Sequence, residues 1–273
     1  ELDFSIVPLS TLGDRNKTAP LLSMERGMFV KEIEEALISR KIDIAVHSAK
    51  DVPANIPPGL EIIAFTPRWD HRDVLVSKTR STFKDLPKGA RLGTSSPRRI
   101  AQLKAIRSDL EFVPIRGNVE TRIQKSSGTD YDAVVLAAAG IARLDRTNEI
   151  SDYFSPEICV PDVGQGALAL ETRENDVAIK NILQKINSNK TSIEVKAERS
   201  FLTEMGGGCT VPVAAFALLD NEYLTIRSMV ASADNRDILH LTRTYLADDP
   251  ELAGKSLARE LLDLGGEEMI KIR

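Results

Sequence analysis

Between residues 72 and 160 the chain alternates short apolar runs with amphipathic stretches, strand-like at 73–77, 90–93, 110–115 and 132–138 and helix-like at 97–107, 118–126 and 139–144. That alternation admits little besides a mostly parallel sheet covered by helices. A related pattern brackets it on both sides. Upstream, Phe29, Ile33 and Leu37 recur at helical spacing over 28–40, with Val30 and Ile38 widening the stripe and Lys31, Glu32, Glu34 and Glu35 expected to face water. This helix leads into an apolar run at 42–46, read as a buried parallel strand, and further strands are expected at 3–9 and 61–65. Downstream follow a strand at 167–172, helices at 176–187 and 191–204, strands at 212–219, 223–232 and 237–246 joined by Asp-Asn turns, and a closing helix at 250–264. Breaks at 66–70 and 161–166 read as two crossings between domains. The expected fold is therefore α/β, with two doubly wound domains and a small α+β C-terminal domain built on a three-stranded antiparallel sheet. Their bounds are read as 1–68 with 166–187, then 72–162, then 190–273.

Polar residues gather where the strands end. In HSAKDVP (47–53), Asp51 falls beyond the carboxyl end of an expected strand, where open α/β sheets bind ligands. It is equally an ordinary turn residue ahead of Pro53, and both readings stay open at this point. In GTSSPRR (93–99), Thr94, Ser95 and Ser96 offer hydroxyls, and Pro97 suits a first helical turn, where its missing N–H is no loss. A helix N-terminus already favours anions, so Arg98 and Arg99 are misplaced for the helix and well placed for a ligand. RGNVETR (116–122) puts Arg116 before a helix and Arg122 on it, and Arg143 follows the next strand. These five arginines would line one edge of one sheet.

Such a cationic cleft stands out in a chain of net charge -4 and pI near 5.6, a balance that argues against a general nucleic-acid binder. A small polyanionic ligand is implied, and the planar guanidinium fork suits carboxylates or phosphates. Cys209 sits in a loop with three consecutive glycines, open to close approach, and reads as an attachment point or nucleophile. Cys159 reads as a small buried hydrophobe. Two cysteines this far apart suggest neither a disulfide framework nor a zinc site, and favour a reducing compartment. His47, His71 and His240 have no metal spacing. No P-loop or dinucleotide fingerprint is present, and no apolar run is long enough for a transmembrane helix.

Taken together, HSAKDVP, GTSSPRR, RGNVETR, LAAAGIARL, VGQGAL and GGGCTVP occur in the order and spacing of the hydroxymethylbilane synthases, also called porphobilinogen deaminases. The chain resembles that family over almost its whole length. The resemblance implies two domains like those of periplasmic binding proteins plus a third. It implies an enzyme of tetrapyrrole biosynthesis that joins four porphobilinogen molecules head to tail, with loss of ammonia, to give hydroxymethylbilane. It further implies a dipyrromethane cofactor held by a thioether to Cys209, with Asp51 as the catalytic carboxylate. By the same resemblance Ser48, Lys50, Thr94, Ser96, Arg98, Arg99 and Arg122 hold the cofactor, while Arg26, Phe29, Arg116, Arg143 and Gln165 contact substrate or the growing chain. Its partner would be a small molecule, with no nucleic acid, membrane or metal, and the expected form is a cytoplasmic monomer, with organelle targeting left open.

Two departures from the family pattern are visible. The family begins with a further strand and helix that this chain is expected to lack upstream of Glu1, and Glu25-Arg26-Gly27 stands where a Gly-Lys-Gly-like turn is usual. Two other readings account for less. A non-catalytic, two-lobed protein that binds small anions needs no loop cysteine, and a phosphate-handling transferase would need a P-loop.

Overall fold

The computed structural model describes residues 3–9, 30–206 and 212–271. Arg26, Phe29 and Cys209 lie outside the described residues, as does most of their surroundings. Three sheets organise the rest. The first has strand order β1-β8-β2, with β1 Ala45–Ser48, β2 Leu60–Phe65 and β8 Leu168–Arg173. The second is ordered β5-β4-β6-β3-β7, from β3 Asp73–Ser77, β4 Arg91–Gly93, β5 Glu111–Val113, β6 Ala133–Ala137 and β7 Asp152–Phe154. The third is an antiparallel β11-β10-β9 ribbon of Val213–Asp220, Tyr223–Ala231 and Ile238–Leu246.

The five-stranded sheet is doubly wound, and its strands show why the sequence runs there are continuously apolar. Leu75 of β3 and Ala133 and Val135 of β6 enter one core with Leu92, Leu103 and Phe154. Their neighbours Val74, Val76, Val134 and Leu136 enter a second core with Ile115, Ile123 and Ile141. Both faces of each strand are therefore buried, which removes any polar alternation. Helix α2 (Pro97–Ile106) covers the first face, and α3 (Val119–Ser126) with α4 (Ala138–Ala142) covers the second. Strand β4 runs parallel to β5 and β6, whereas β3 is antiparallel to both its neighbours. Strand β7 was not anticipated from the sequence.

Four expectations are corrected. The run at 42–46 is not a buried parallel strand: β1 pairs antiparallel with β8, and Val46 is 58% exposed. Residues 3–9 form no strand, because no partner among the described residues pairs with them, and Phe4 and Ile6 lie exposed. Glu34, expected to face water from helix α1 (Lys31–Ile38), is buried beside Glu171 and His47, and burial together with Glu171 raises its carboxyl above the usual range. Ile38, expected in the apolar stripe, is exposed.

After α5 (Val177–Leu183), the long helix α6 (Asn189–Glu204) lies against β2 of the first sheet and against the antiparallel ribbon. It packs with α7 (Pro250–Leu261) on the antiparallel ribbon in one core that includes Phe201, Leu202, Ile226 and Leu257. Two carboxylates on α6 reach outward from this core. Glu198, fully buried, accepts from the Ala217 nitrogen of β9 at 2.8 Å, from the Gly164 nitrogen at 2.7 Å and from Arg68 Nη2 at 2.9 Å. Glu194 accepts from the Leu219 nitrogen at 3.1 Å and lies 3.4 Å from Arg68 Nε.

Candidate active site

The site is assembled where the two crossings touch. Strand β1 ends at Ser48 and the chain turns at once into a short 3-10 segment, Ala49–Asp51. The Ala49 nitrogen donates to Ala167 O at 3.0 Å. Above it lies the VGQG loop, whose glycines are required by the closeness of the approach. Gly164 has φ 73°, and a Cβ there would fall 2.9 Å from Ala49 Cβ and 3.2 Å from the Lys50 nitrogen. Gly166 has φ 92°, and its Cβ would fall 2.7 Å from Trp69 O. From α6, Arg199 clamps the segment after Asp51, donating to Val52 O at 3.3 Å, Pro53 O at 2.6 Å and Ala54 O at 3.1 Å.

Asp73 anchors the opposite wall, at the first residue of β3. It is fully buried and receives Arg98 Nη1 at 2.8 Å on one oxygen, and Arg99 Nη2 at 2.6 Å and Nε at 3.0 Å on the other. Burial opposes its charge, but Arg98 and Arg99 prevail and hold the carboxyl far below the usual range. Arg98 also donates to Val160 O at 2.6 Å and Arg99 to Val135 O at 2.8 Å. The two arginines that look spare at a helix start thus have a buried counter-ion. Cys159 joins the same cluster, its thiol 3.4 Å from Asp73, and burial followed by Asp73 pushes that thiol up to about 12. It is buried as the sequence suggests, a free thiol that donates to Asp73.

Gln165, fully buried, links the walls. Its amide nitrogen donates to His71 O at 2.8 Å and to Asp73 at 3.1 Å, and its oxygen accepts from Lys50 Nζ at 3.4 Å. A chain of polar contacts therefore runs Lys50, Gln165, Asp73, Arg99. Burial draws the Lys50 ammonium below the usual lysine range, with Asp51 opposing and Arg99 adding to the shift. Arg122 is lowered chiefly by burial and then by Arg99, with Asp51 opposing and Arg116 contributing. Lys50 and Arg122 thus each lie within electrostatic reach of both Asp51 and Arg99, so several cations flank one carboxylate, an arrangement suited to binding an anion.

Local structure places the remaining residues. Gly117 (φ 117°) turns the chain between β5 and α3, and the Asn118 side chain caps α3 by accepting from the Thr121 nitrogen at 2.8 Å. This fixes Arg116 before the helix and Arg122 in it, with Arg122 Nε on Gly117 O at 2.7 Å. Thr94 is buried and accepts from the Ser96 nitrogen at 3.3 Å, while Ser95 bridges to both the nitrogen and the oxygen of Ile115 at 2.9 Å. Arg143, at the end of α4, lies 6.0 Å from the Trp69 ring centre. The structure thus brings Lys50 and Arg122 within electrostatic reach of Asp51 and Arg99, and Arg116 within reach of Arg122, with Arg143 at the Trp69 crossing. Asp73, Glu198 and Arg199 were missed in the sequence; an acidic first residue on a fully apolar strand was the available signal for Asp73. Among the described residues no His, Cys, Asp and Glu cluster suits a metal, and no helix is long and apolar enough to cross a membrane.

Comparison with known proteins adds to this geometry. A family model described as "Porphobilinogen deaminase, dipyromethane cofactor binding domain" matches residues 1–181, and the model of the porphobilinogen deaminase C-terminal domain matches 192–263. A porphobilinogen deaminase of Geobacillus sp. (strain WCH70) is 45% identical over 271 residues, covering 98% of this chain and 86% of the relative. One from Syntrophus aciditrophicus (strain SB) is 46% identical over 272 residues, covering 99% of this chain and 89% of the relative.

Proposed function

Since the chain belongs to the porphobilinogen deaminase family, a family of transferases, we propose that Asp51 carries its reaction in a cleft lined by Lys50, Arg99, Arg116 and Arg122. The reaction is the head-to-tail joining of four porphobilinogen molecules to hydroxymethylbilane, a step of tetrapyrrole and haem biosynthesis. The placement of Lys50 and Arg122 within electrostatic reach of Asp51, with Arg99 beside both and Arg116 beside Arg122, is the observation that supports this reading most. Porphobilinogen bears an acetate and a propionate, so every unit added brings two carboxylates to be held. The residues fit the family's dipyrromethane cofactor for the same reason. Ser48, Lys50, Thr94, Ser96, Arg98, Arg99 and Arg122 would hold it, with Cys209 as its thioether anchor. When bound, that cofactor supplies the pyrrole end onto which the chain is built.

At each addition the aminomethyl carbon of porphobilinogen loses ammonia and bonds to a pyrrole α-carbon, which then gives up its proton. Positive charge develops on the pyrrole nitrogens at both stages. The Asp51 carboxylate, at the tip of the 3-10 turn, is the group that stabilises this charge and takes the proton. Arg116, Arg143 and Gln165, with Arg26 and Phe29, are the residues we assign to substrate and the growing chain. Gln165 acts from within the wall, setting Lys50 against Asp73. We further propose that the three sheets mark three domains, 1–68 with 166–187, 72–162 and 190–273, and that the enzyme works as a cytoplasmic monomer on small molecules.

Intact-mass spectrometry tests the anchor. The purified protein is expected to exceed the mass of its 30.0 kDa polypeptide by one dipyrromethane, and Cys209→Ser to lose that increment. A wild-type mass equal to the bare chain would refute the assignment.

A further inference from the structure

Arg98 and Arg99 share Asp73, but Arg143 is held in a different way. No carboxylate among the described residues pairs with it, and its guanidinium carbon lies 6.0 Å from the ring centre of Trp69, within the outer range of cation–π attraction. The difference matters chemically. A carboxylate partner would neutralise the arginine for a ligand, whereas an indole face orients the cation and leaves its charge available.

Trp69 is built for this position. It lies on the first crossing and is 51% exposed, so its ring is not a core residue. Its backbone is fixed all the same: its nitrogen donates to Gly166 O at 3.0 Å, and its carbonyl lies where a Cβ on Gly166 would collide at 2.7 Å. Next to it, Asp70 and Arg72 form an ion pair at 2.6 Å, and Arg72 stacks 4.2 Å over the Tyr153 ring of β7. The crossing is thus pinned to the five-stranded sheet on one side while Trp69 presents its ring to the end of α4 on the other.

We infer that Trp69 is a positioning residue that sets the Arg143 guanidinium toward the carboxylates of the substrate without neutralising it. The inference rests on the reading of Arg143 as a substrate contact. It assigns to Trp69 a role in binding rather than in bond formation, so the Michaelis constant should respond and the turnover number should not.

Trp69 is the only tryptophan in the chain, which supplies a direct readout. In the cofactor-loaded enzyme, Trp69→Leu keeps apolar bulk without a π-face and is expected to raise KM for porphobilinogen about two- to fivefold at unchanged kcat, the size a partly exposed cation–π contact supports. Trp69→Phe should restore most of the loss. Porphobilinogen added to the wild type should change tryptophan emission saturably, and Arg143→Gln should diminish that change. An unaltered KM in Trp69→Leu, or emission blind to porphobilinogen in an enzyme that turns over normally, would overturn the inference. Absence of turnover in the loaded wild type would instead defeat the reaction itself, so the two failures are distinguishable.

Discussion

At the scale of single residues, the site depends on charges whose partners lie far away in sequence. Arg98 and Arg99 were legible as arginines at a strand-to-helix junction, but their counter-ion Asp73 is 25 and 26 positions distant and carries no local signal of the pairing. Glu34 misled for the same reason: helical periodicity gives the face a residue occupies, not the buried His47–Glu171 pair, 2.8 Å apart, that waits there. His71 shows a residue-level consequence in pH. Burial, with Arg68 nearby, lowers its imidazole from 6.5 to about 4, and its ring stacks 4.1 Å from Phe216. The unfolded chain therefore binds a proton between those two values that the folded protein refuses. The stability His71 contributes is complete above about pH 6.5 and is lost as pH falls toward about 4. Urea unfolding of wild type and His71→Gln at pH 7 and 4.5 should show a smaller acid-induced loss in the variant; equal losses would contradict the assignment.

At the scale of elements, sequence pattern and structure agree wherever both faces of a strand are buried. Strand β3 and helix α2 begin where the apolar run and Pro97 place them, because an unbroken apolar run and a proline at the first helical turn are local signals. At sheet edges the pattern is less informative. Strand β1 has the composition of a parallel strand but pairs antiparallel with β8, a partner contributed from beyond the second crossing, and pairing direction is not encoded in an apolar run. Close helix contact was equally invisible. Gly254 of α7 meets α6 so tightly that an added Cβ would fall 2.1 Å from Ala197 O. Gly254→Ala should therefore destabilise the C-terminal unit by about 1–3 kcal/mol, despite alanine's better helix propensity. Thermal unfolding would reveal this as a lowered midpoint, and a raised midpoint would show that the helices can separate without loss.

At the scale of the whole molecule, the two crossings and the antiparallel ribbon meet at one buried carboxylate. Glu198 binds the first crossing through Arg68, the second through the Gly164 nitrogen and the antiparallel ribbon through the Ala217 nitrogen. Removing it leaves Arg68 buried without that partner, and Glu198→Ala should cost about 3–5 kcal/mol in chemical denaturation. A change below about 0.5 kcal/mol, the level of an ordinary surface substitution, would mean the sheets are held together by apolar contact alone. The same junction fixes Asp51, since the VGQG loop packs on Ala49 and Lys50 and Arg199 secures the residues that follow. Motif order makes the arginines legible, but not this scaffold, whose contacts between Lys50 and Gln165 and between Arg199 and Val52 join segments more than a hundred residues apart. In the proposed reaction this scaffold holds the Asp51 carboxylate against the developing charge. That role is tested most directly by the turnover number of Asp51→Asn, measured on protein whose intact mass shows the cofactor in place. A loss of about 10²- to 10⁴-fold with the fold retained is expected; turnover within a few-fold of wild type would contradict that role.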